Sequence, residues 1–103
     1  MSELRGFHIG EIGERIERVV RFKDVRKYRA VGFSGAEEDR WAVTFTDHDG
    51  DEITAFMSRP LRVNQRAVQL GSTLRIRATV KKHGEWNGRR STIVQRVHEV
   101  GFE

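Results

Sequence analysis

The chain contains no cysteine, which excludes disulfide scaffolds, thiolate metal sites and cysteine nucleophiles. That absence is compatible with a reducing compartment and no stretch has targeting character, so the cytoplasm is the expected location. Pro60 is the only proline, which rules out a proline-rich linker. No apolar run approaches the ~20 residues of a membrane span. His8, His48, His83 and His98 are scattered, without an i, i+4 pair, so a zinc centre is not expected. Glycine-rich phosphate loops and nucleophile elbows are missing, and nothing positions a Ser/His/Asp set. A non-enzymatic protein without cofactor or metal is therefore expected.

What is present is charge, unevenly spread. Net charge is +4, and the isoelectric point of about 10.1 favours a polyanionic partner. Arg15, Arg18, Arg21, Lys23, Arg26, Lys27 and Arg29 form one basic block; Arg75, Arg77, Lys81, Lys82, Arg89, Arg90 and Arg96 form a second. Between them, Glu37, Glu38, Asp39, Asp47, Asp49, Asp51 and Glu52 face only Arg40 in sequence, which predicts a strongly polarised surface.

Residues 74–97 carry the clearest pattern. Leu74, Ile76, Ala78 and Val80 alternate with Arg75, Arg77, Thr79 and Lys81, the period of a strand with one apolar and one basic face. Asn87-Gly88 predicts the turn of a hairpin, with Trp86 at its tip beside Arg89 and Arg90. On the returning strand Ile93, Val94 and Val97 fall on both faces, which predicts a bulge.

Residues 1–13 read as a lead-in and 14–103 as a single domain. From Glu14 to Tyr28 the β-branched and aromatic content favours a long, bent first strand; a helix is the competing reading. A polar loop follows at 32–39, then strands at 40–47 and 52–58. A three-residue loop with left-handed Gly50 pairs Asp47 with Asp51, so that Trp41 faces Met57, Val43 faces Ala55 and Phe45 faces Ile53. Phe56 then lies on the outer face with Thr44, Thr54 and Ser58, either as a stacking surface or packed under another segment. Asp47, Asp49, Asp51 and Glu52 begin like a calcium loop, but Gly50 is one position early and the distal glutamate is out of register. Residues 61–70 are a short helix or an irregular connection.

Five strands with one connection between the third and fourth predict an all-β, five-stranded OB-type Greek-key barrel; another Greek-key or SH3-like barrel is the runner-up. The stretches GEIGERIE, FTDHDGDEITAF and TVKKHGEWNGRRSTIVQRV resemble the compact OB-fold domains of phage and bacterial single-strand-binding proteins, over most of residues 10–97. The resemblance implies the OB fold and, through it, a binding face on strands two and three. The rims of that face are the loops at 32–39 and 83–89, the first acidic, unlike a nucleic-acid groove. The expected function is binding of single-stranded nucleic acid, DNA more than RNA, with low sequence preference. Lys23, Arg75, Arg77, Lys81, Lys82, His83, Arg89 and Arg90 supply the basic groove, and Tyr28, Phe56 and Trp86 supply the stacking platforms. A replication, recombination or nuclease protein is a possible further partner. The alternative is a protein-interaction or assembly module that uses a strand edge and its polarised charge.

Overall fold

The computed structural model describes residues 6–86 and 88–103. Its strands are β1 (Arg15–Val31), β2 (Glu37–Asp47), β3 (Glu52–Met57), β4 (Arg62–Val63), β5 (Arg66–Ala67), β6 (Thr73–Trp86) and β7 (Arg89–Phe102). The five long strands close in a ring in the order β1-β2-β3-β7-β6. Neighbours are antiparallel except β3 and β7, which run parallel. Among the described residues no helix is long and apolar enough to cross a membrane.

The core follows the period-two pattern. Ile16, Val20 and Phe22 from β1, Val43 and Phe45 from β2, Ile53 and Ala55 from β3, and Leu74, Ile76, Ala78 and Val80 from β6 all point into the ring and are buried. β1 is a strand throughout; a register shift between Phe22 and Asp24 bends it as it passes from β6 to β2. The β2–β3 register is the one the apolar pattern demands: Trp41 opposite Met57, Val43 opposite Ala55, Phe45 opposite Ile53. Gly50 has φ 82°, and the Asp47 N–H donates to the Asp51 carbonyl at 3.0 Å. Asp47 Oδ1 also accepts the N–H groups of Asp49 and Asp51, so the acidic turn caps its own backbone.

The connection after β3 takes the irregular form. Leu61 and Val63 are buried while Arg62 between them is exposed, a strand alternation that a helix would destroy. Asn64 and Gln65, at φ 49° and 66°, turn the chain back so that β4 pairs with β5. β6 and β7 pair with three register shifts, and Arg96 has φ 53°. The shift between Val80 and Lys82 puts these two residues on opposite faces, Val80 beside Val94 in the core and Lys82 beside Ile93, which is buried outside it. Gly88 adopts φ 77° in the hairpin turn; Asn87 lies outside the described residues.

Two features depart from the pattern of the sequence. The described part of the lead-in is built into the fold, because Ile9 is in the core, its N–H donates to Thr92 Oγ1 at 2.7 Å, and the Gly13 N–H donates to the Val80 carbonyl. The basic and acidic blocks also do not separate into opposed surfaces. The β1–β2 hairpin lays one across the other, giving Lys27–Asp39 (3.5 Å), Arg29–Glu37 (3.2 Å) and, within β2, Arg40–Glu38 (2.9 Å).

Candidate nucleic-acid interface

The outer face of β2 and β3 is set by register. Ala42 pairs with Phe56 and Thr44 with Thr54, and on the far side of β3 Thr54 aligns with Ile93 and Glu52 with Ser91. Aligned residues share a face, so these side chains, with Lys82 opposite Ile93 and Arg89 opposite Trp86, form one outer surface. The floor is buried: Ala42, Thr44, Glu52, Thr54, Ser91 and Ile93 are all under 5% exposed. Thr54 Oγ1 and Ser91 Oγ satisfy each other at 2.6 Å. Above the floor, Phe56 remains 45% exposed and meets Trp86 edge-on, ring centroids 5.6 Å apart and planes at 80°. A T contact occupies one face of one ring and only an edge of the other, so the pair keeps ring faces that the contact does not use.

The β1–β2 hairpin borders this surface on one side. Arg26 and Tyr28 lie opposite Ala42 and Arg40, and so on the same face as Phe56; Tyr28 is 39% exposed. Lys23, in the β1 bulge, reaches over to Glu52 with Nζ 3.8 Å from Oε1. Lys81 and Lys82 are exposed, and among the described residues neither forms an ion pair.

Of the remaining basic residues expected at the site, Arg75, Arg77, His83 and Arg90 are placed elsewhere, whereas Arg89 shares the outer face with Trp86. Arg75 and Arg77 project from β6, and in the ring β6 and β1 are the strands not adjacent to β3. Both bind Glu17, Arg77 at 2.7 Å and Arg75 at 3.2 Å, and Arg75 also holds Glu103 at 2.8 Å. The Arg77 hydrogen bonds, helped by those of Arg75, hold the Glu17 carboxyl below its ordinary range against a smaller upward push from burial. The Glu103 hydrogen bond is the main cause of an upward shift at Arg75. Alternation along β6 turns His83 away from Trp86. Its ring stacks on His8, centroids 4.6 Å apart and 9° from parallel, and its Nε2 lies 2.8 Å from the Gly10 carbonyl oxygen. Arg90 donates to the Gly6 carbonyl. His83 and Arg90 therefore anchor the N-terminal segment, and Arg89 donates to the Gly50 carbonyl at 3.0 Å from the other face of the hairpin.

Residues that sequence reasoning missed fall into two kinds. Arg26 and Arg40 follow from the register of β1 with β2 and were legible once that register was known. Phe33, fully exposed in the loop after β1, sits in a stretch whose glycines and acids read only as a polar loop. His8 has no local signal, since its partner lies 75 residues away. No protein-family model matches the chain, and neither does any curated protein or solved structure.

Proposed function

We propose that the chain is a non-enzymatic OB-type domain that binds single-stranded nucleic acid, DNA more than RNA, across the outer face of β2 and β3. The strand order β1-β2-β3-β7-β6 with a parallel β3–β7 pair is the arrangement expected of an OB barrel, whose ligands lie on this face between two hairpin loops. The observation that carries the reading is the Phe56–Trp86 pair, with Phe56 45% exposed and Trp86 partly so, standing on a buried floor of polar and apolar side chains. A single strand supplies what such a pair lacks, a flat π surface, and base stacking of this kind contributes about 1 to 3 kcal/mol per base without regard to sequence. Lys81 and Lys82, with Lys23 across the face, supply phosphate contacts.

Arg75 and Arg77 drop out of the proposed contact set because Glu17 and Glu103 already neutralise them. Three lysines rather than a wide basic groove imply a moderate salt dependence, log K falling with log salt at a slope of about −2. The test is a fluorescence-anisotropy titration of a labelled thymine oligonucleotide at two salt concentrations. Binding at low salt that weakens in this proportion supports the reading, and no binding at low salt overturns it. Salt-sensitive oligomers in light scattering, without oligonucleotide binding, would favour the assembly alternative.

A further inference from the structure

We infer that Glu52 is a base-reading residue that selects guanine at one position of the bound strand, an inference that rests on the single-strand reading above and adds a specific contact to it. Glu52 sits on the outer face of β3 and its side chain is only 4% exposed. Its Oε2 is buried and, among the described residues, has no hydrogen-bond partner. Its Oε1 has the Lys23 ammonium 3.8 Å away, an ion pair too long to be a hydrogen bond. Burying a carboxylate without filling its acceptor sites is costly, and its register partner on β7 is a serine. Instead Ser91 and Thr54 bond to each other. A valine or threonine here would spare that cost, so the carboxylate is retained at the expense of stability.

The surroundings indicate what it would take. Glu52 pairs in register with Thr46 on β2; Thr46 and Arg21 line two adjoining surface hollows of about 270 and 420 Å³, and Glu52 is buried beside Thr46 without lining either. Lys23 borders the first hollow and Arg89 the second. An acceptor-only group with a lysine ammonium beside it suits a ligand that is anionic outside and a donor inside, which describes a nucleotide. Four residues of strand, about 13 Å, separate Glu52 from Phe56, so a different nucleotide would reach each. Among the bases only guanine offers two adjacent donors, N1–H and N2–H, on its Watson–Crick edge, matching the two oxygens of one carboxylate. Lys23 is 45% exposed and free to swing from Glu52 to the phosphate of that nucleotide, uncovering the carboxylate as the base enters.

The test compares labelled thymine oligonucleotides carrying one central guanine, one inosine or no substitution, bound to the wild-type chain and to Glu52→Gln. A bidentate contact is worth about 1 to 3 kcal/mol of discrimination, so guanine is expected to bind about tenfold more tightly than thymine. Inosine, which lacks the N2 amino group, is expected in between. Glu52→Gln, whose amide offers one acceptor where the carboxylate offers two, is expected to bind the guanine, inosine and plain thymine strands alike. Equal binding of all three strands by the wild type overturns the inference and leaves the single-strand reading standing, as does a guanine preference that survives in Glu52→Gln. Failure of every strand to bind overturns both. The wild-type inosine comparison decides the matter even if Glu52→Gln does not fold, which its thermal midpoint would reveal.

Discussion

Trp86 and Phe56 contribute to the same surface, but not equally to the fold. Phe56 is nearly half exposed and its neighbours on β2 and β7 are already buried beneath it, so its ring is available for a ligand. Substituting either ring by alanine is expected to weaken single-strand binding about tenfold, with far less effect on duplex, as anisotropy titrations of the two forms would show. Arg75→Ala and Arg77→Ala should leave that affinity nearly unchanged, since their charge is spent on Glu17 and Glu103.

Another residue-scale expectation concerns Arg59 and Glu99. Burial pushes the Glu99 carboxyl up, but the paired hydrogen bonds from Arg59, both 2.6 Å, and the Arg62 N–H outweigh it, so the group titrates below the ordinary range. A lowered folded value means that the pair stabilises the fold above the ordinary glutamate range, near ~4.3, and that this stability is lost as pH falls through the folded value. Thermal melts between pH 7 and pH 3 should therefore show a drop on the acid side. Arg59→Ala should lower the midpoint at neutral pH and flatten that drop, by about 1 kcal/mol given that the guanidinium is half exposed. An unchanged acid limb in the variant would contradict the assignment.

At the scale of elements, turn chemistry and alternation made much of the architecture legible. Gly50 alone decides between two registers for β2 and β3, and the choice that turns Trp41, Val43 and Phe45 together toward the core is the one formed, with Trp41 partly buried. The bulged β6–β7 pair was legible in the same way, from Ile93, Val94 and Val97 falling on both faces: Val94 and Val97, three apart, both pack against the core. The N-terminal segment was not, because its hold depends on one isoleucine and on contacts to residues 44 to 84 positions away, which no local pattern carries. The same limit hid the ion-pair ladder, where two charge blocks separated in sequence become neighbours only through the β1–β2 hairpin. Ile9→Ala should cost about 2 kcal/mol and lower the thermal midpoint by roughly 10 °C. In the β4–β5 turn, Gln65 holds φ 66°, a conformation that glycine adopts without strain. Gln65→Gly should raise the midpoint by a few degrees, and a fall would show that the Gln65 side chain matters more than its backbone.

For the whole molecule, the balance of charge is less lopsided than its composition implies. Between positions 24 and 42, Arg26, Lys27, Arg29 and Arg40 are matched by Asp24, Glu37, Glu38 and Asp39, and most of them pair directly. The arm that borders the proposed site is thus nearly neutral, and phosphate contacts fall to the lysines at its two sides. Binding should therefore depend on aromatic contact more than on bulk charge. The most direct measurement is a map of backbone amide shifts as a single-stranded oligonucleotide is added. The expected result is a set of perturbations on β3 around Phe56, on Lys23, and on β6 from Lys82 to Trp86, with Arg75 and Arg77 unmoved. Perturbations concentrated on the β1–β6 side, or none at saturating oligonucleotide, would contradict the proposed interface.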